Sequence, residues 1–323
     1  MKDLAVDPGP LAEVLHEVFG PAFVHPVDIQ RLSAGATSRI WSFDLPGLVP
    51  RGCILRVAAP GANRVAVSTE AAAMEAAGAV KVPVPTILHS SDRTDPFGAP
   101  YMIMERVEGE TLARHILRGD EYGTARSVFA EQCGRILGRL RNASVDAVPG
   151  LAEEGQLERW EEIFRFLDTP VPTFEWAFKY LQRNRPASSG QPSTLVHGDF
   201  RLGNLIIGPE GVRAVLDWEI VHRGDPLEDL GWLCARPWRF RGPNPVGGMG
   251  HYGDLLGAYS DECGVGVDLE ELRWWEVFAS LRWGIICLLQ ASRHLGGSDR
   301  SVELATIGRR VAETELDLLD AVT

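Results

Sequence analysis

The 323-residue sequence predicts an α+β chain of two lobes: a small antiparallel β N-lobe with one helix among its strands, then a larger, mainly helical C-lobe. Three observations carry that reading. Up to about residue 104 the apolar residues fall in short runs punctuated by Gly and Pro. From Gly109 onward they recur at helical spacing, and a single island of β character interrupts the helices between Leu195 and Asp217.

Taken in order, a helix opens the chain, because Leu11, Val14, Leu15, Val18 and Phe19 share one face and Gly20-Pro21 stops it. Short β-like runs over 29–32, 40–45 and 53–57 follow. The Ala-rich stretch 68–79 has high helix propensity, and Pro83 and Pro85 end it before two more strands, 86–89 and 101–107. Helices are expected over 125–140, 157–167, 174–181, 254–259, 269–295 and 302–319. The β island runs from Leu195 through 205–207 to 212–217, with Gly208-Pro209-Glu210-Gly211 as its turn. The chain thus divides into an N-lobe (1–104), a hinge (105–108) and a C-lobe (109–323).

Composition narrows the function classes. Hydrophobic residues make up 45% and charged residues 24%, which is ordinary for a globular protein and unlike collagenous, low-complexity or membrane sequences. A net charge of −12 repels phosphate backbones and anionic lipid, so neither nucleic acid nor a membrane is an expected partner, whereas a cationic small molecule fits the sign. Five cysteines, with no Cys-x-x-Cys pair, suggest reduced core thiols. The first residues lack the apolar stretch of a signal peptide, so a cytoplasmic location is expected. Nothing in the sequence fixes an oligomeric state.

The chemistry concentrates in His197-Gly198-Asp199-Phe200-Arg201-Leu202-Gly203-Asn204, followed after the turn by Val215-Leu216-Asp217-Trp218-Glu219. Singly, each Asp or Asn is a common turn residue. Together they match a need: phosphoryl transfer from a nucleotide takes one carboxylate to orient the attacking hydroxyl and accept its proton, and oxygen ligands to hold magnesium across the phosphates. Mg²⁺ prefers hard oxygen donors and keeps several waters, so Asn204 and Asp217 suffice beside the phosphates. Asp199 is then left to act on the acceptor.

These residues resemble the signature of the aminoglycoside phosphotransferase and choline kinase group, H-G-D-x-x-x-x-N followed by a Leu-Asp-Trp-type element, on the protein-kinase-like fold. The resemblance covers most of the chain: Ile54-Leu55-Arg56 looks like the family's third strand, Glu70 like its helix glutamate, and Met104-Glu105-Arg106-Val107-Glu108-Gly109 like its interlobe hinge. Gly224-Asp225-Pro226-Leu227-Glu228-Asp229-Leu230 is similar to the segment after the metal site.

The resemblance implies that the N-lobe binds nucleotide. The turn from Leu32 to Ser38 would cover the phosphates, with Gly35 allowing close backbone approach and Ser33 offering a hydroxyl. Adenine would be read by main-chain groups, the carbonyl of Glu105 and the N–H of Val107, which suits ATP and leaves GTP open. Two departures stand out. Arg56 occupies the position where many kinases place the phosphate-touching lysine, and a guanidinium binds phosphate as a planar fork instead of a point charge. Arg201, two residues after Asp199, can offset charge at the transferring phosphoryl group.

Other features have blander readings. His197 braces its loop, since no H-E-x-x-H spacing exists. Gly248-Met249-Gly250-His251-Tyr252-Gly253 matches G-x-G-x-x-G literally, but no apolar strand precedes it, and it reads as a substrate-side loop. The helix bearing Trp274, Trp275, Phe278, Leu281, Trp283 and Ile286 is core first and a pocket wall second. Asp225 and Asp229 cap and brace a helix. The sequence therefore predicts transfer of the γ-phosphoryl group of ATP, with Mg²⁺, to a hydroxyl of a small molecule. The competing reading is a nucleotide-binding, pseudokinase-like protein without transferase activity, motivated by Arg56.

Overall fold

A computed structural model describes residues 8–20, 25–32, 38–47, 51–59, 65–153, 155–186, 193–297 and 300–322. The N-terminal sheet is antiparallel, with strands β1 (Val27–Arg31), β2 (Ser38–Asp44), β3 (Gly52–Ala58), β4 (Ile87–Ser91) and β5 (Tyr101–Glu105) in the order β1-β2-β3-β5-β4. Strand periodicity divides its two faces. Cys53, Leu55, Val57, Tyr101 and Ile103 bury against helix α1 (Pro8–Phe19), whose Leu11, Val14 and Leu15 form the matching stripe. Ile54, Met102 and Met104 turn the other way, toward helix α2 (Val67–Ala79) and the rest of the core. Arg56 shares their side of β3, which aims a cation at the cleft.

β5 stops at Glu105, short of the expected 107, because the Arg106 N–H donates to the Gly52 carbonyl at 2.9 Å and the chain leaves the sheet. Glu110 and Ile207 then exchange two main-chain hydrogen bonds, both 2.9 Å. That approach requires glycine at 109: φ is 155°, and a Cβ there would lie 2.5 Å from Ile206 Cγ2.

The remaining elements are α3 (Ala113–Arg118), α4 (Gly123–Arg141), α5 (Gln156–Phe166), α6 (Pro172–Arg183), β6 (Thr194–Val196), β7 (Leu205–Gly208), β8 (Gly211–Val215), β9 (His222–Gly224), α7 (Leu227–Cys234), α8 (Tyr252–Cys263), α9 (Leu269–Leu295), α10 (Val302–Gly308) and α11 (Val311–Val322). The 27-residue α9 is the axis of this lobe. Asp268 caps its first turn through the Glu270 N–H, Glu270 and Glu271 sit at its positive end, and Arg293 and His294 at its negative end. Buried Trp274, Trp275, Phe278 and Leu281 fix it in the core.

Three details differ from the expectation. The stretch 302–319 is two helices, because at Gly308 the chain passes so close to α9 that a Cβ would meet Ala291 Cβ at 2.7 Å. The β island contains two ribbons: β7 pairs with β8, and β6 pairs with β9, which is too short and polar to show as a strand in the sequence. β8 ends at Val215, since Asp217 takes a left-handed backbone (φ 65°) that no strand continues. Among the described residues no helix is long and apolar enough to cross a membrane.

Candidate active site

The site is built on the loop between β6 and β7, and hydrogen bonds to main chain define that loop. Asp229 on α7 accepts the N–H groups of His197 (2.8 Å) and Gly198 (2.9 Å) through its two carboxylate oxygens. It braces the loop, not its own helix, as the sequence had suggested. Gly198 is required there, with φ 83° and the Ile220 carbonyl 2.8 Å from where a Cβ would stand. His197 is fully buried and bridges two segments: its Nδ1 lies 3.1 Å from the Asp199 N–H and its Nε2 lies 2.8 Å from the Leu216 carbonyl. With Nδ1 accepting and Nε2 donating, the ring carries its proton on Nε2 and ties the Asp199 loop to the Asp217 segment. This is the bracing role read from the sequence.

Behind the loop lies a buried ionic cluster. Arg282, on α9, donates to the Gly198 carbonyl and to Glu228 Oε1, both at 2.8 Å, while Glu228 Oε2 meets His222 Nε2 at 3.0 Å. Burial alone would lower the His222 pKa, but the Glu228 carboxylate outweighs it and raises it. Burial would likewise raise Glu228, yet His222 and then Arg282 hold it below the ordinary value. The cluster is therefore a carboxylate held between a guanidinium and an imidazole. Asp229 differs: burial pushes its carboxyl up, nearby Glu228 adds to this, and the N–H donors of His197 and Gly198 only partly offset it.

On this scaffold three side chains converge on Asp199. Oδ1 accepts from Arg201 Nε (3.0 Å) and from Trp232 Nε1 (2.7 Å), and Oδ2 accepts from Asn204 Nδ2 (2.6 Å). The same amide also reaches the Asp199 carbonyl at 2.9 Å. The guanidinium carbon of Arg201 lies over the Trp238 ring, 4.5 Å from its centroid, which helps to hold the side chain in place. Asn204 and Asp217 are brought together by the β7–β8 hairpin, closed by the Leu216 N–H on the Asn204 carbonyl at 2.8 Å.

Across the cleft, Arg56 pairs with buried Glu70, and its other terminal nitrogen lies 3.9 Å from Glu219. Burial opposes its charge, but Glu70, Asp217 and Glu219 together raise the Arg56 pKa. Glu75, the other acid on α2, is exposed. Glu105 ends β5 with its carboxylate accepting from Thr86 Oγ1 at 2.8 Å, and Val107 follows, half-buried, in the segment after the strand. Ser33 and Gly35 lie outside the described residues.

Between these groups opens a cavity of about 510 Å³. Asp199, Arg201, Asp217 and Glu219 line its cleft end; Arg159, Trp160, Ile163, Trp238, Arg282 and Trp283 line the rest. Trp283 and Ile286 are thus the pocket members of the aromatic helix face. The glycine loop is not: Gly247 packs on Phe129 and Gly250 on Ala130, and no residue from 242 to 253 lines the cavity. Of the motif glycines, Gly250 packs on α4, Gly248 takes a left-handed turn against the Arg239 carbonyl, and Gly253 meets nothing within 4 Å.

This arrangement is the architecture of a kinase-like phosphotransferase. The chain belongs to the APH phosphotransferase enzyme family, whose model matches residues 28–274. A Ralstonia eutropha structure described as a candidate aminoglycoside phosphotransferase superposes with a TM-score of 0.77 at 22% identity, covering 96% of both chains. Aminoglycoside phosphotransferase APH(4)-Ia, in a ternary complex with AMP-PNP and hygromycin B, matches at 0.65 and 17% identity over 97% of this chain and 98% of its own. A choline/ethanolamine kinase family protein from Mesorhizobium loti matches at 0.61 and 17%, over 95% and 94%. The fold is protein-kinase-like. Among curated proteins, acyl-CoA dehydrogenase family member 10 of Mus musculus is 28% identical over 72% of this chain, and family member 11 of Homo sapiens 25% over 73%. The chain spans 22% and 33% of the lengths of these two relatives.

Trp232, Trp238, Glu219 and the Arg282–Glu228–His222 cluster were not read as site residues from the sequence. Arg282 carried a signal: a lone cation inside the apolar run of α9 is the kind of residue that stays buried only when partnered.

Proposed function

We propose that this protein transfers the γ-phosphoryl group of ATP to a hydroxyl of a small molecule. The observation that carries the reading is the Asp199 carboxylate, oriented by three donors at the mouth of a cavity that also presents Asp217. The acceptor oxygen attacks the γ-phosphorus, its proton passes to Asp199, and the bond from the γ-phosphorus to the bridging oxygen breaks as ADP leaves. Arg201 supports charge on the transferring group, and the pairing of Arg56 with Glu70 presents a guanidinium to the α- and β-phosphates.

The donor set suits Mg²⁺: the single Asn204 amide nitrogen donates to Asp199, leaving its oxygen as a ligand beside the Asp217 carboxylate. Bound there, the ion would neutralise phosphate charge. Residues 1–104 form the nucleotide-binding lobe in this reading, 105–108 the hinge, where Glu105 and Val107 offer main-chain groups to the base, and 109–323 the catalytic lobe. Relatives crystallised with AMP-PNP and with GDP support a purine nucleotide, ATP first and GTP second. Hygromycin B and kanamycin, present in two such structures, support a small hydroxylated, cationic acceptor. Five free cysteines, four of them buried, suit the cytoplasm.

The test is acceptor-dependent ADP release across hydroxylated metabolites and antibiotics, run with ATP and with GTP and repeated without Mg²⁺. Turnover that depends on acceptor and Mg²⁺ is expected. Mg²⁺-dependent nucleotide binding with no turnover on any acceptor favours the pseudokinase-like alternative.

A further inference from the structure

Beyond Asp199 the cavity runs between two helices. α5 gives it Trp160 and Ile163, three residues apart on one face, and α9 gives it Trp283, Ile286 and Leu289 at the same spacing. All five are half-buried, so each keeps apolar surface that the fold has not covered. The polar groups of this wall are engaged or sealed. Arg282 donates to Glu228 and to the Gly198 carbonyl, and its guanidinium lies over Trp160 and Trp232, 5.4 and 4.3 Å from their ring centroids. Trp232 Nε1 donates to Asp199, and Nε1 of Trp238 and of Trp283 is buried out of reach, so these rings turn carbon to the cavity. No carboxylate lies on this wall among the described residues: the acids lining the cavity, Asp199, Asp217 and Glu219, are at its cleft end. Nor do the indoles form a cage for an ammonium. Each already has a guanidinium over it, Arg201 on Trp238, Arg310 on Trp283 and Arg282 on the other two, and a second cation would add like charge.

Resting on the phosphotransferase reading, we propose that the acceptor is an alcohol with an apolar body, an alkyl chain or aromatic ring lying between α5 and α9 while its hydroxyl faces Asp199. A cationic group on such an acceptor belongs beside the hydroxyl, at the acidic end, and not on the body. Seating the body displaces water from surface that has no polar partner to offer, so affinity grows with the apolar area buried. The transfer is balanced as before: the hydroxyl oxygen bonds the γ-phosphorus, the bond to the bridging oxygen breaks, Asp199 takes the proton, ADP leaves, and the body is unchanged.

The experiment uses matched probes: n-butanol, n-hexanol, phenylpropanol, ω-aminohexanol and kanamycin. Turnover is followed as ADP release with ATP and Mg²⁺, and binding as a change in tryptophan fluorescence without nucleotide. Each added methylene is expected to raise kcat/KM about 4-fold, which puts n-hexanol about 16-fold above n-butanol. ω-Aminohexanol, which would carry its ammonium onto the wall, should fall at least about 10-fold below n-hexanol. Ile286→Gln should raise the KM for phenylpropanol about 10-fold, with kcat and the KM for ATP near wild type, and Ile286→Leu should restore it. Ile163→Gln, on the facing helix, gives the same reading if α9 does not tolerate the change. No binding by any alcohol, no gain from n-butanol to n-hexanol, ω-aminohexanol equal to n-hexanol, or an unchanged KM in both glutamine variants overturns the proposal. If kanamycin is the best acceptor, the apolar body falls and phosphoryl transfer stands. If binding grows with apolar size and is lost in Ile286→Gln but no compound turns over, the apolar cleft stands as a ligand site and the transferase reading falls.

Discussion

The two sides of the cleft hold charge in opposite ways. On the C-lobe side an anion, Asp199, is ringed by donors from Arg201, Asn204 and Trp232, and its loop rests on a fully buried ionic cluster. On the N-lobe side a cation, Arg56, is ringed by carboxylates from Glu70, Glu219 and Asp217, with 12% of its side chain exposed. The first is overdetermined by short hydrogen bonds within one lobe. The second is assembled from β3, α2 and the segment after β8, so it depends on how the lobes meet. Damage to the first should therefore appear in chemistry or folding, and damage to the second in nucleotide handling.

The largest effect tests the first half of that contrast. Asp199→Asn should lower kcat on the order of 10²–10⁴-fold, with nucleotide affinity nearly intact; steady-state kinetics with calorimetry decides, and normal turnover would remove Asp199 from the role of base. Next comes the cluster behind it. Glu228→Ala leaves the buried Arg282 guanidinium without its carboxylate and should cost about 3–5 kcal/mol of stability in denaturant melts. Glu219→Ala, on the cleft side, should cost under about 1 kcal/mol. Equal losses would erase the distinction between the two sides.

A pH series sharpens the same point at the start of α7, where burial pushes the Asp225 carboxyl up to about 6. A raised carboxyl favours folding when protonated, so that contribution is complete below about pH 4, the unfolded value, and is lost as pH rises through about 6. Asp225→Asn should match wild type near pH 4 and exceed its stability by about 3 kcal/mol at neutral pH. Melting curves across that range check it, and parallel curves would contradict the burial argument.

On the N-lobe side, Arg56→Ala should cost roughly 10- to 100-fold in kcat/KM for nucleotide, with Arg56→Lys recovering part. Glu70→Ala should be less than additive with it. Wild-type kinetics in Arg56→Ala would separate this arginine from phosphate binding. The smallest effect belongs to Trp232→Phe, which removes one donor from Asp199 and should lower kcat about 3- to 10-fold with KM unchanged.

What could be read in advance follows sequence distance. Asp199, Asn204 and Asp217 lie within one loop and hairpin, and their spacing is itself the geometry. Glu70 was separable from Glu75 only by rotation about a helix, and the structure has Glu70 buried and Glu75 exposed. Trp232 reaches Asp199 across 33 residues of sequence, and no periodicity encodes such a contact. The split at Gly308 was hidden because an isolated glycine in a helical pattern costs only about 1 kcal/mol, whereas its close approach to Ala291 is a tertiary fact. The glycines at 248–253 line no part of the cavity; Gly250 is held by packing on α4 and Gly248 by a left-handed turn, neither of which glycine spacing distinguishes from a ligand loop.

The paired main-chain bonds between Glu110 and Ile207 have a mechanical consequence. They lay the chain leaving the hinge against β7, only three residues from Asn204. On the other side, the Arg106 N–H is fastened to Gly52 at the mouth of β3. The pivot between the lobes is thereby shortened to the peptide units between those two clamps, with Gly109 as its tightest joint. In the proposed reading a rotation of the N-lobe would be absorbed over that span, and its torque would pass to β7, the strand that follows Asn204 directly. Lengthening the span by a residue would slacken this crank without touching a single group that contacts substrate.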